Sequence, residues 1–413
     1  MIAIPFVWFS ILFVFIFKKN KKQIDIASYI ALIFAVSGFF SILIDVFKLR
    51  YEQTNNYSIT PIAAFIYCTF ITMCIWPLYI NSNAKITRIK PLKNAAPLKW
   101  LAWISSVLVA INLYMSLGDF SHIMEDMARA RIAHYRGDDI ESWQMSLPSI
   151  VRLPFTLLNV FFNCPWMSMF LAFYCVSIQK LPFRYGLMYL LVSMNPLIGS
   201  ILIAGRAGFI FWFLSLVACY IFFKQFFDAS DRRKIYGIVI AIGGIFIAYL
   251  ALMTIARFGE SDSGTGGGLI TYTGQAYIHF CYFFDEYTCP RPTLQSIFPF
   301  TYHLFGSDMV GGVAMQQYYG QLTGKELGVF YTFMGTILTT SSFFVVLLYC
   351  VLYTTFSSVT NKAAKGIVSI KTCYVYLAFA SVLFLGLFSY YYCSPWSSIS
   401  LYLFYFFIKY ICK

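Results

Sequence analysis

The sequence predicts an all-α protein that spans a membrane many times, and two observations carry this prediction. Of the 413 residues, 60% are hydrophobic and only 11% are charged, a balance that the core of a water-soluble protein could not accommodate. Most of the apolar segments are also about 17 to 25 residues long, the length of a helix that crosses a bilayer. Such helices satisfy their own backbone hydrogen bonds in lipid, and the alternating pattern of an outer-membrane barrel is absent.

The apolar segments predict about eleven spans, within a range of about ten to twelve. They cover residues 2–17, 27–47, 59–80, 100–117, 153–178, 185–203, 208–223, 235–256, 330–356, 373–390 and 399–410. The first span is expected to be retained, because "KKNKK" follows it and no small-residue cleavage site is present. Residues 1–413 therefore form a single polytopic membrane domain in this prediction.

Basic residues predict the orientation of the spans, because positive charges stay on the cytoplasmic side during insertion. If "KKNKK" is cytoplasmic, strict alternation places "KITRIKPLK", "QKLPFR", "KQFFDASDRRK", "NKAAKGIVSIK" and the C-terminal tail on the same side. Every lysine except Lys48 and Lys325 falls on this side, whereas most arginines, most carboxylates and all four histidines fall on the other. The net charge of +13 thus reflects membrane insertion and does not indicate nucleic-acid binding.

Two exterior loops are long, residues 118–152 and 257–328. The first contains "EDMARARIAHYRGDDIESW", which predicts a surface helix around residues 127–133. The second opens with the hinge-like "GESDSGTGGG" and continues with "YTGQAYIHFCYFFDEYTCPRP", an aromatic segment that predicts a helix in the interface or one that re-enters the membrane. Cys281 and Cys289 share this loop and could pair if the compartment is oxidising.

Arginines on the exterior side predict an anion-binding face. Arg206 occupies a tight turn in "LIAGRAGFIFW", Arg257 ends the eighth span, Arg291 lies in "CPRP", and Arg136 belongs to the first long loop. A guanidinium matches phosphate oxygens bidentately and keeps its proton when partly desolvated, so this face suits a lipid diphosphate. The alternative is that the arginines extend to ordinary phospholipid phosphates, which the sequence favours for Arg50.

Carboxylates and histidines on the same side are candidates for a general base. Asp285 and Glu286, at the end of the aromatic segment, and His303 could accept a proton from an attacking hydroxyl group. Helix capping or a salt bridge to Arg291 is the alternative role of the two carboxylates. The sequence contains neither a metal-ligand spacing nor a nucleophile elbow, so no metal or cofactor is predicted.

Several of these features occur together in one family. The chain has a turn "IAGRAGFIFWFL", a large late exterior loop and a following span that opens with "GVFYTFMGTIL". Over about its second half it resembles the O-antigen polymerase (Wzy-type) and oligosaccharide repeat unit polymerase proteins of bacterial inner membranes. The resemblance implies a GT-C-like fold and a glycosyltransferase with its active face in the periplasm. It also implies a substrate carried on undecaprenyl diphosphate, without nucleotide sugar or metal.

The resemblance further implies roles for individual residues. Arg206 and Arg257, with Arg291, would bind the diphosphate leaving group while a hydroxyl of the incoming lipid-linked unit attacks the anomeric carbon. The expected partners are the undecaprenyl-diphosphate-linked oligosaccharide, membrane lipids, a chain-length regulator and a flippase, but no nucleic acid. Two alternatives stay open. A lipid-linked oligosaccharide flippase would line a route through its spans with titratable or basic residues, whereas an O-antigen ligase would differ only in its acceptor.

Overall fold

The computed structural model describes residues 1–125, 147–202, 205, 207–237, 240–241, 243–244, 248, 264–306 and 312–411. The helices are α1 (Ile4–Lys19), α2 (Ile26–Val46), α3 (Pro61–Ile80), α4 (Ala96–Glu125), α5 (Ser149–Phe161), α6 (Pro165–Ser177), α7 (Phe183–Ser193), α8 (Asn195–Leu202), α9 (Ala207–Phe223), α10 (Gly264–Glu286), α11 (Pro299–Leu304), α12 (Gly312–Thr323), α13 (Thr332–Thr340), α14 (Phe343–Asn361), α15 (Ile370–Leu385) and α16 (Pro395–Phe406). Strands β1 (Ile86–Ile89) and β2 (Gly366–Val368) form a two-stranded sheet. The predicted surface helix at 127–133 lies outside the described residues.

Several helices are long and apolar enough to cross a membrane. Within the described part of the chain they are Ile26–Val46, Pro61–Lys85, Ala96–Gly118, Ala207–Phe226 and Phe343–Asn361. A sixth span forms if α5 and α6, which bend by 80° at a short break, are counted together. The predicted all-α class with membrane-crossing helices is therefore confirmed.

The chain divides into two compact units. The first comprises Met1–Arg88, Asp262–Val368 and Thr372–Ser398, and the second comprises Ile89–Ser261, Ser369–Lys371 and Ile399–Lys413. Each unit thus combines segments that are distant in the sequence.

In the first unit, α10 crosses α2 at very short range. The Ser41 hydroxyl donates a hydrogen bond to the Gly274 carbonyl at 2.6 Å, and a Cβ atom at Gly274 would lie 2.4 to 2.6 Å from the backbone of Phe40. The ring of Tyr277 packs against that of Tyr67 on α3, with centroids 4.9 Å apart. The aromatic segment of the second long loop is therefore helical, as predicted, and its rings pack against other helices of the unit.

The loops of the first unit gather at two ends. At one end, Asp25 caps α2 and accepts a hydrogen bond from Ser82 at 2.5 Å, and β1 pairs with β2. At the other end, the Tyr277 hydroxyl donates to the Met1 carbonyl at 3.2 Å, and Gln53 donates to the Glu326 carbonyl at 3.0 Å. The lysine-rich stretches of this unit thus share one end, and the segments around Met1, Arg50 and Glu326 lie at the other.

The second unit contains interrupted helices and one close helix pair. The chain breaks between α7 and α8 at Met194, because Pro196 lacks the N–H that would continue the hydrogen-bond ladder. The helix pair α8 and α9 is joined by residues 203–206, and a Cβ atom at Gly208 would lie 1.8 Å from the Ser200 hydroxyl. Two apolar helices therefore flank the predicted turn, of which residues 203, 204 and 206 lie outside the described residues.

Candidate functional site

A cavity of about 600 Å³ lies at the end of the first unit where α2 ends and α3 begins. This volume is in the range of small-molecule sites. Its walls are formed by Met1, Ile2, Asp45, Lys48, Arg50, Asn55, Asn56, Tyr57, Ser58 and Ile59. Most of these side chains are polar, so the cavity suits a hydrophilic ligand.

Arg50 organises the loop that forms most of the cavity wall. Its guanidinium forms an ion pair with Asp45 at 2.6 Å and donates hydrogen bonds to the carbonyls of Thr54, at 3.3 Å, and Tyr57, at 2.5 Å. The Arg50 side chain is only 13% exposed. The interpretation that Arg50 extends to phospholipid phosphates is therefore wrong, because both of its terminal nitrogens bind Asp45 or the loop and its Nε is buried.

Asp285 lies beside the cavity, at the end of α10. Its carboxylate accepts hydrogen bonds from the Tyr57 hydroxyl and, at 2.9 and 3.0 Å, from the Thr60 hydroxyl. Thr60 is also the N-cap of α3, where its side chain accepts the Ala63 N–H. Burial and the hydrogen bond to Asp285 raise the pKa of the Tyr57 phenol above its ordinary value, so this group stays neutral. Asp285 itself is exposed and has oxygen lone pairs left for a ligand.

The two lysines that the sequence placed on the exterior both lie at this site. Lys48 lines the cavity. Lys325 donates a hydrogen bond to the Tyr282 hydroxyl at 2.5 Å, and the Tyr282 ring contacts the ring of Tyr57 edge-on at 5.5 Å. Lys48 is thus a wall residue of the cavity, and Lys325 is linked to Tyr57 through the ring of Tyr282.

Among the other residues predicted for the site, Glu286 is exposed next to Asp285. Arg291 donates to the Tyr318 hydroxyl at 2.9 Å, and His303, on α11, packs against Trp396 with ring centroids 5.5 Å apart. No hydrogen bond or ion pair joins Asp285 to Arg291 or His303 in the part of the chain that the structure describes. Three predicted diphosphate ligands, Arg136, Arg206 and Arg257, lie outside the described residues.

Reasoning from the sequence missed Tyr57, Thr60 and Lys325 as parts of this site. The position of Lys325 carried a signal, because it is one of two lysines on the arginine-rich side. Cys281 and Cys289 are both free thiols, so the disulfide considered for this loop does not form. Among the described residues, no group of three or more His, Cys, Asp or Glu side chains is placed to hold a metal ion.

The fold and the site together define the class of this protein. It is a helical membrane protein whose first unit carries a polar cavity lined by Lys48, with the Asp285 carboxylate bound to the wall residue Tyr57. Comparisons with protein-family models, with curated proteins and with solved structures give no match for this chain. The function therefore has to be argued from the site.

Proposed function

We propose that this protein polymerises undecaprenyl-diphosphate-linked oligosaccharide repeat units into surface polysaccharide, as a glycosyltransferase at the periplasmic face of a bacterial inner membrane. The observation that carries the proposal is a polar cavity whose wall contains Lys48 and Tyr57, with Asp285 bound to Tyr57 and Lys325 bound to Tyr282, whose ring contacts Tyr57. Cations suit the diphosphate of the donor, and a carboxylate suits activation of the acceptor hydroxyl. The same proposal includes a GT-C-like fold with about eleven membrane spans.

The reaction joins two saccharides and releases a lipid diphosphate. An acceptor hydroxyl on one lipid-linked unit attacks the anomeric carbon of the other, and its proton passes to the Asp285 carboxylate. The bond between the anomeric carbon and the diphosphate oxygen breaks, and its electron pair stays on the diphosphate. Asp285 is the preferred base among the three candidates, because Tyr57 and Thr60 fix its orientation beside the cavity.

The developing charge on the diphosphate requires cations that are already in place. Lys48 provides one at the cavity wall, and Lys325, which donates to the Tyr282 hydroxyl, provides a second at the same end of the unit. Arg291 and the arginines predicted from the sequence, Arg206, Arg257 and Arg136, complete this role in the proposal. Arg50 is excluded from it, since its donors are bound to Asp45 and to the loop.

A deletion in the native host, followed by gel analysis of surface glycan, tests the proposal. Loss of the ladder with single repeat units still attached supports a polymerase. Complementation with Asp285→Asn should restore protein level but lower polymer formation by about 10²- to 10⁴-fold, the usual contribution of a general base. Glu286→Gln is the matched control, because it changes the adjacent exposed carboxylate and should leave the ladder intact.

A flippase is the second candidate, and interrupted helices favour it. The helix α13 is only nine residues long and fully buried, and non-helical segments flank it, an arrangement common at transporter binding sites. A flippase deletion would trap lipid-linked units in the cytoplasm and remove all surface glycan. A ligase deletion would instead leave polymer on its lipid carrier. Either result in the deletion strain would overturn the polymerase proposal.

A further inference from the structure

A second polar cluster lies in the first unit, on the face of α10 that packs against the segment 330–332. Tyr272, Gln275 and His279 are spaced three and four residues apart and therefore share one face of the helix. Tyr272 contacts the ring of Phe330 with centroids 4.5 Å apart, and His279 Nδ1 lies 3.3 Å from the Phe330 carbonyl. Gln275 lies between these two contacts, on the same face.

Three buried atoms of this cluster have no hydrogen-bond partner within the described part of the protein. They are Gln275 Oε1, His279 Nε2 and Thr332 Oγ1, and the three residues are 3%, 1% and 0% exposed. Because a carbonyl only accepts, His279 Nδ1 must carry the proton that it donates to Phe330, which leaves Nε2 as an acceptor. Two acceptors therefore lie one turn apart on α10, and Thr332 follows Phe330, whose ring and carbonyl contact the same face of the helix.

The backbone at this point is held in an uncommon conformation. Thr332 has φ of 66°, in the left-handed region that β-branched residues rarely adopt. Its N–H donates to the Phe388 carbonyl at 3.1 Å, and the Phe333 N–H donates to the Gly386 carbonyl at 2.8 Å. Strain of this kind persists where surrounding contacts impose it and is concentrated at binding sites.

The surroundings select against a charged ligand. The groups in contact with His279 include Tyr51, Phe283 and the Phe330 carbonyl, none of which carries a formal charge at neutral pH. The N-terminus of α13 adds a positive partial charge nearby, which disfavours a cation or a protonated imidazole. The first N–H groups of α13 are already bound to carbonyls, so they are not available to an anion.

We propose that Gln275, His279 and Thr332 form a binding site for one uncharged hydroxyl group, supplied either by a saccharide or by a water molecule. A hydroxyl group can donate to one of the two acceptors and accept from Thr332, and a water molecule can donate to both acceptors. Tyr51 connects this site to the cavity, since its ring contacts that of His279 at a tilt, with centroids 5.2 Å apart, and the wall residues of the cavity follow it in the chain. A saccharide as the source of the hydroxyl group rests on the proposed function, whereas a water molecule as the source does not.

The sign of a stability change tests this site in the purified full-length protein. Gln275→Leu removes one acceptor at nearly constant volume. If a hydroxyl group binds the Gln275 acceptor, removal of this acceptor should lower Tm by about 2 °C. If nothing binds the buried acceptor, its removal should raise Tm. The measurement is made in buffer alone and again with lipid-linked oligosaccharide extracted from the deletion strain.

Each outcome has one meaning. A lower Tm for Gln275→Leu in buffer alone supports the site with water as the source. A saccharide hydroxyl is supported if the Tm of Gln275→Leu is higher than that of wild type in buffer but lower than that of wild type with the oligosaccharide. A higher or unchanged Tm under both conditions overturns the proposal.

A second variant shows whether the Tm change of Gln275→Leu comes from misfolding. His279→Asn keeps a donor for the Phe330 carbonyl but removes the Nε2 acceptor, and it should change Tm with the same sign as Gln275→Leu. If both acceptors bind one hydroxyl group, the double variant should change Tm by less than the sum of the single changes. Thr69→Val is the matched control, because it removes a buried hydroxyl without a partner on α3 and should not lower Tm under either condition.

Discussion

At the scale of single residues, Lys48 has a backbone conformation that glycine adopts more easily, although its side chain lines the cavity. It follows α2 with φ of 54°, and the Leu49 N–H donates to the Ile44 carbonyl at 2.8 Å, a helix end that usually contains glycine. A lysine in this conformation costs about 1 kcal/mol relative to glycine. The side chain nevertheless lines the cavity, which is the position that the proposed function requires.

Lys48→Gly therefore separates stability from function. We expect Tm to stay constant or rise, because the backbone strain is relieved, while polymer formation falls by about 10- to 100-fold through loss of a charged hydrogen-bond donor. Lys21→Gly is the control, since Lys21 has φ of 53° but lies at the opposite end of the unit. Equal polymer levels in the two variants would show that Lys48 has no role beyond helix termination.

For Arg50 we predict an effect on stability, because its guanidinium holds the loop in place. Arg50→Lys retains one charge but cannot bind Asp45 and two carbonyls at once, so we expect a loss of about 1 to 3 kcal/mol of unfolding free energy. A thermal unfolding scan of the purified protein measures this loss as a lower Tm. An unchanged Tm would mean that the loop holds its shape without the guanidinium.

The thiols of Cys281 and Cys289 provide a chemical check on the same region. Burial raises the pKa of the Cys289 thiol above its ordinary value, so little thiolate is present near neutral pH and alkylation of the folded protein should be slow. After denaturation without a reductant, both residues should be alkylated completely, because both are free thiols. A mass spectrum with an unmodified, cross-linked pair would contradict the structure.

At the scale of helices, the contact between α2 and α10 depends on a residue without a side chain. Gly274→Ala should lower the unfolding free energy by about 1 to 3 kcal/mol, since the new Cβ atom would overlap the backbone of Phe40. Gly199→Ala, in α8, has open space around its Cβ position and should be neutral or stabilising by about 0.5 to 1 kcal/mol. Thermal unfolding of both variants checks the pair, and equal Tm values would contradict the close crossing.

The sequence predicted the type of most helices but not their interruptions. Span 185–203 appears as α7 and α8, and span 330–356 appears as α13 and α14. Hydropathy averages apolar character along a window and therefore does not detect a break whose backbone groups are satisfied from elsewhere. Such partners exist at the end of α13: the Tyr287 hydroxyl donates to the Thr339 carbonyl at 2.8 Å, and the Thr293 N–H donates to the Thr340 carbonyl at 2.8 Å.

The candidate site was less accessible to sequence reasoning than the fold. Asp285 was identified because it follows a recognisable aromatic segment. Tyr57 and Thr60 were not, because they are brought to Asp285 by a contact across more than 200 residues of chain. Two residues of ordinary type in a short loop give no periodicity or motif, and only the folded geometry shows what they bind.

At the scale of the whole molecule, the distribution of basic residues provides a test of orientation that depends on no single side chain. The first unit gathers the stretches around residues 18–25, 82–90 and 362–368 at one end, and the stretches around 48–58 and 325–328 at the other. The first group is rich in lysine, and the second contains Lys48 and Lys325 with the cavity. If positive-inside insertion governs this chain, the cavity end must face away from the cytoplasm.

Reporter fusions measure this directly. Fusions after residues 22, 90 and 365 should give activity only with a reporter that works in the cytoplasm, and fusions after residues 57 and 326 only with one that works outside it. The fusion after residue 326 also tests whether α10 crosses the membrane. If α10 crossed the whole membrane, residue 326 would lie on the opposite side. Cytoplasmic activity at 57 would place the lysines, Asp285 and the cavity on the wrong side for a periplasmic polymerase and would refute the proposed function. Cytoplasmic activity at 326 alone would contradict the close approach of Gln53 to Glu326, since both belong to one end of the unit.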